Sequence, residues 1–119
     1  MLNLLVIRSS NIERAKIFYE ALGLVFEAHQ HGNGAPHFAA EEHGLVFEIY
    51  PLLKGKSTSA TRFGFRVNAV EETIANLIHA GGEVIASPQP SPWGIRAVVK
   101  DPDGHRVELV EYEDCDELV

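Results

Sequence analysis

Apolar and polar positions along the chain follow two periods, one of a strand and one of a helix, and the two alternate in a fixed order. Residues 4–7 are a short apolar run that reads as a strand. Ile12, Ala15, Tyr19 and Leu22 then recur every three or four residues, the spacing of one helix face. Ser10-Asn11-Ile12-Glu13 has the form of a capping box: a short polar side chain can accept from first-turn amides, and Glu13 can reach back. Gly23 stands where a left-handed residue would end that helix. Three strands are expected next, over 24–31, 36–41 and 45–50, separated by the turn signals Gly32-Asn33-Gly34 and Glu42-His43-Gly44.

The same order then repeats. Arg8, Ile12, Glu13 and Gly23 fall on Arg66, Val70, Glu71 and Gly81 at an offset of 58, and 44–49 fall on 104–109 at an offset of 60. The second copy opens with a strand over 63–67. A helix follows, with Val70, Ile74, Leu77 and Ile78 at helical spacing and Asn68-Ala69-Val70-Glu71 as its capping box. Strands are expected over 83–86, 94–100 and 105–112. Asp101-Pro102-Asp103-Gly104 is a turn signal, because proline presets φ and glycine tolerates positive φ. The Pro-rich stretch 87–92 is expected to be the longer loop that accounts for the change of offset. Each copy reads β-α-β-β-β. The expected organisation is a single α+β domain over 1–119, with module one over 1–52, a linker over 53–60, module two over 61–112 and an acidic tail over 113–119.

Side chains alternate across a strand, so the pattern also assigns faces. Leu5, Ile7, Phe47, Ile49, Phe63, Phe65, Val67, Val107 and Leu109 fall on the faces that carry the helices. Leu4, Glu48, Arg62, Arg66 and Glu108 fall on the opposite, concave face, with Tyr50 in the parity of Glu48. Carboxylates and guanidinium groups on one face imply a salt-bridged network, a metal site or an open polar pocket, since unpaired buried charge is costly.

Composition narrows the partners. The formal charge is −7, with four carboxylates packed into 113–117. No basic stripe is present, which argues against nucleic acid. No run of about 18 apolar residues exists to span a bilayer, and the N-terminal run lacks the flanks of a signal peptide. One cysteine, Cys115, fits a reducing compartment, and the cytoplasm is the expected location. An acidic tail disfavours Cys115 as a nucleophile.

Glu13 to Leu24 and Asp101-Pro102-Asp103-Gly104-His105-Arg106-Val107-Glu108-Leu109, set in a β-α-β-β-β repeat, resemble the vicinal-oxygen-chelate superfamily of glyoxalases, bleomycin-resistance proteins and dioxygenases. Pro92-Trp93-Gly94 followed by Arg96 is similar to the segment before that turn in the same families. The resemblance implies two tandem βαβββ modules forming a curved mixed sheet or half-open barrel, with helices on the outer face. It also implies a homodimer and a small-molecule ligand. Metal-dependent members hold a divalent cation at four positions, which here are Leu4, Glu48, Arg62 and Glu108. Leucine cannot ligate, and arginine offers donors alone. Glu48 and Glu108 remain as metal ligands, so a divalent metal is disfavoured as a cofactor.

Other side chains carry candidate chemistry. His29 and His31 share a strand face, and His37 lies across the glycine turn; such a group binds a divalent metal or stands as exposed polar residues at a hairpin end. His79 sits near a helix end and His105 after a turn glycine, and neither reads as catalytic. Tyr50, Trp93 and Arg66 are the expected ligand-binding side chains.

Two functions follow. In one, a glyoxalase-like lyase or isomerase, or a dioxygenase-type enzyme, uses Glu108 as general base, with Arg62 or a metal stabilising the enolate. In the other, a non-enzymatic binder of the bleomycin-resistance kind sequesters a small antibiotic in a cleft between subunits.

Overall fold

The computed structural model describes residues 1–112; the acidic tail with Cys115 lies outside them. The element order is β1 (Leu4–Ser9), α1 (Ile12–Glu20), β2 (Glu27–His29), β3 (His37–Glu42), β4 (Leu45–Pro51), β5 (Arg62–Val67), α2 (Val70–His79), β6 (Glu83–Ser91), β7 (Gly94–Lys100) and β8 (Arg106–Glu111). The architecture is α+β, two tandem βαβββ modules, as the periodicity implies. Each module is its own four-stranded sheet, ordered β1-β4-β3-β2 and β5-β8-β7-β6. The first strand of each runs parallel to the last, with Val6 beside Glu48 and Gly64 beside Glu108. The remaining pairs are antiparallel. No helix among the described residues is long and apolar enough to cross a membrane.

Local expectations need four corrections. The side chain that caps α1 is Asn11, accepting from the Arg14 amide at 3.0 Å, while Ser10 turns to Asp103. Asn68 does not cap α2. Ala69 holds the N-cap position, and the Glu111 carboxylate of β8 accepts the Val70 N–H at 2.7 Å instead. A carboxylate there also suits the positive end of the helix dipole. The second strand is three residues long, because Leu24 and Phe26 pack against the core rather than extend the ladder. The Pro-rich stretch is strand, not loop: β6 continues to Ser91 with two register shifts. It pairs with β7 alone, so Pro88 and Pro90 lie on an edge strand, where a missing N–H is tolerated.

The helix-bearing faces of both sheets share one core. Ile7, Phe47, Ile49 and α1 (Ala15, Phe18, Tyr19) join Val107, Leu109 and α2 (Val70, Ile74, Leu77). Phe47 bridges the modules, with its ring 5.9 Å from Phe63 and 6.0 Å from Phe65. The two polar faces are therefore each turned away from that core.

Polar bonds lock the same junction. Tyr19 Oη donates to Asp101 Oδ2 at 2.6 Å, and the His105 ring meets the same oxygen through Nδ1 at 2.8 Å. His105 Nε2 lies 2.7 Å from the linker's Thr58 Oγ1, which also accepts the Arg8 N–H. His105 is fully buried. Asp103 accepts from Ser9 Oγ at 2.6 Å and from the Ser10 N–H and Oγ, each at 2.9 Å. The turn signal read from the sequence is also the clamp that holds module one.

Candidate functional site: two outward polar faces

In module two, β5, β8 and β7 place Arg62, Gly64, Glu108 and Arg96 on the outward face by strand alternation. Glu108 accepts from Arg96 Nε in a short hydrogen bond, and Arg62 Nε lies 3.5 Å from its other oxygen. The bond from Arg96 is the main reason its carboxyl is held below the usual glutamate value; slight burial opposes this, and the charges of Arg96 and Arg62 add to the lowering. Gly64 clears the space beside it: a Cβ there would stand 3.1 Å from that of Glu108. Arg66 stacks over Tyr112 at 4.2 Å, and Trp93 is two-thirds exposed at the tip of the β6–β7 hairpin.

In module one, Glu48 and Tyr50 on β4 share their face with Ala39 and His37 on β3 and with Glu27 and His29 on β2. The His37 ring stacks on Tyr50 with centroids 4.1 Å apart and planes within 9°. Arg8 covers Tyr50 from 5.0 Å, as Arg66 covers Tyr112 in the other module. Beside this group runs a trough of about 460 Å³, lined by Val25, Glu27, His29, Ala39, Glu41 and Val46.

The structure thus brings Arg62 to Glu108 as expected. It gives Glu48 a different neighbourhood, 3.6 Å from His37 Nε2, on the other sheet. Arg96 was not singled out from the sequence as a site residue. Its signal was legible: alternation back from the Asp101 turn pairs Val98 with Glu108, and places Arg96 diagonally across from it. His37 is buried, not an exposed hairpin-end residue.

A family model, Glyoxalase/Bleomycin resistance protein/Dioxygenase superfamily, matches residues 1–109. The chain belongs to this superfamily. No curated protein matches the sequence. Among solved structures, TnmS3, an antibiotic binding protein from Streptomyces sp. CB03234, is 25% identical with a TM-score of 0.76, covering 95% of this chain and 96% of its own. A glyoxalase/bleomycin resistance protein from the same organism is 25% identical with a TM-score of 0.73, covering 93% and 100%. A glyoxalase-related enzyme from Fulvimarina pelagi shares the fold at 23% identity and a TM-score of 0.71, covering 92% and 86%.

The superfamily's metal positions can be tested on the donors present. Leu4 supplies none, Arg62 is a cation, and Glu108 is engaged by two guanidinium groups. Glu48 is then the single donor left. This set does not fit a divalent cation.

Proposed function

We propose that this superfamily member binds and sequesters a small antibiotic-like molecule without transforming it. The pairing of Glu108 with Arg96 and Arg62 carries this reading. A general base works best with a pKa near the operating pH. Glu108 is instead a carboxylate of lowered basicity, engaged by two guanidinium groups. The likeness to an antibiotic binding protein supports the same reading.

The binding cleft forms between two copies of the chain. Drug-sized ligands are usually buried over about 70–90% of their surface, and a single outward sheet face encloses far less. Module one's face carries Glu27, Glu41 and Glu48, and module two's carries Arg62, Arg66 and Arg96. Opposite charge favours packing module one of one copy against module two of the other. Tyr50, Trp93 and Arg66 then line the closed cleft, with aromatic faces for stacking and a cation for polar groups. The protein works as a homodimer in the cytoplasm.

Trp93 is the single tryptophan, so its emission reports ligand stacking directly. Bleomycin-type glycopeptides and polycyclic aromatic antibiotics are titrated against the purified dimer, and each ligand is recovered for mass analysis. Saturable quenching with one unchanged ligand per chain is expected. Turnover of a bound antibiotic or of a glutathione hemithioacetal would overturn the reading, and so would failure of every class to bind.

A further inference from the structure

Three imidazoles converge where β2 and β3 meet, away from the Glu108 cluster. His29 sits directly across from His37 in the ladder, and His31 follows two residues after β2. Each offers a ring nitrogen, and the three atoms lie within 4.8 Å of one another. Tetrahedral imidazole donors, at about 2.0–2.1 Å from a metal, stand about 3.3 Å apart. Small side-chain rotations of His29 and His31, the less buried pair, close that difference.

His37 is the anchor. Its side chain is 1% exposed and its ring is fixed on the face of Tyr50. Nδ1 lies 3.1 Å from the Ala35 carbonyl oxygen. A carbonyl can accept but not donate, so Nδ1 carries a proton, and in the neutral ring Nε2 then presents a lone pair. A ligating histidine is usually held this way, with its second ring N–H on a carbonyl or carboxylate. Nε2 is buried with no hydrogen-bond partner, and Glu48 Oε2 faces it at 3.6 Å. A buried lone pair set against a carboxylate oxygen is unfavourable unless a proton or a metal cation stands between them. Glu27, 3.4 Å from His29 Nε2, adds negative charge beside the group.

We propose that His29, His31 and His37 bind a late first-row divalent cation, of the Zn²⁺, Ni²⁺ and Co²⁺ class, with Glu48 as the fourth donor. Imidazole nitrogens suit these metals. The site shares Glu48 with the superfamily's ligand positions and draws its imidazoles from the β2–β3 hairpin. It does not depend on the sequestration reading.

The test uses the untagged full-length chain, titrated with Co²⁺ and followed by visible absorption, with Zn²⁺ competition by calorimetry. One metal per chain and the absorption bands of a four-coordinate cobalt site are expected. His29→Ala and His31→Ala alter surface side chains, so both should stay folded and bind about tenfold or more weakly. Glu48→Gln should weaken binding in the same direction, and His37→Asn should abolish it. His43→Ala and His79→Ala should bind as the parent does. Absence of a cobalt spectrum would overturn the proposal, as would a spectrum that survives the His29→Ala/His31→Ala double substitution or is lost with His79→Ala. Glu48→Gln binding at parental affinity would overturn the assignment of the fourth donor.

Discussion

The Tyr19 hydroxyl of α1 donates to Asp101 Oδ2 at 2.6 Å, and both residues are buried where module one meets the turn of module two. Tyr19→Phe removes that donor and leaves the carboxylate with His105 and backbone partners. The expected loss is about 1.5–3 kcal/mol in denaturant unfolding, the range for a hydrogen bond to a charged group. Asp101→Asn should cost more, since His105 loses its charged acceptor as well.

The same pair sets a pH window. Burial raises the Asp101 carboxyl, but hydrogen bonds from His105 and Tyr19 outweigh it and hold it below its ordinary 3.8. Asp101 therefore contributes stability that is fully present above about pH 4 and is lost as the pH falls through the lowered value. Tyr19 is shifted the other way, raised above 10.0 by burial and then by the nearby Asp101 charge. Its contribution is present below pH 10 and is lost as the pH rises through the raised value. Unfolding free energy measured from pH 3 to 11 should fall at both ends, and Tyr19→Phe should flatten the alkaline fall.

Asp103 holds Ser9 and Ser10 of module one with three hydrogen bonds. Asp103→Ala leaves the buried Ser9 hydroxyl without its acceptor on module two. A loss of about 2–3 kcal/mol is expected by thermal or denaturant unfolding. Faster amide exchange at the start of α1 than in β8 would locate the effect.

Arg96 is the main cause of the lowered Glu108 carboxyl. In Arg96→Ala, an NMR titration should place Glu108 nearer its ordinary 4.5. Ligand affinity should change with Arg96→Ala and Glu108→Gln alike, because both alter the same face. If Arg96→Ala leaves the Glu108 titration unchanged, the pairing is not maintained in solution.

Gly82 follows α2, with the Phe18 ring of α1 against it. A Cβ there would stand 2.7 Å from Phe18 Cε1 and 2.9 Å from the Leu77 carbonyl oxygen. Neither the core ring nor the helix carbonyl can withdraw freely. Gly82→Ala is expected to cost about 1–3 kcal/mol by overpacking, readable as a shift in unfolding midpoint. A variant as stable as the parent would mean that the packing of Phe18 against Gly82 is looser than these distances.

The sequence by itself determined the two modules, the helix faces and the parity that puts Arg62 and Glu108 on one side of a sheet. These depend on local periods of 3.6 and 2 residues, which survive in any tertiary arrangement. Distance along the chain hid the rest. Glu111 caps a helix 41 residues away, and Asp103 clamps residues more than 90 positions earlier. The β5–β8 register sets Glu111 beside the start of α2, and the packing of Phe47 on Phe63 and Phe65 joins the modules that Asp103 clamps. The same packing turned the polar faces outward, so Glu48 and Glu108 came to stand in separate neighbourhoods. The histidine spacing 29, 31 and 37 was visible in the chain. That His37 is buried, with one ring nitrogen held by Ala35 and the other facing Glu48, was decided by the ladder register and by the Tyr50 ring beneath it.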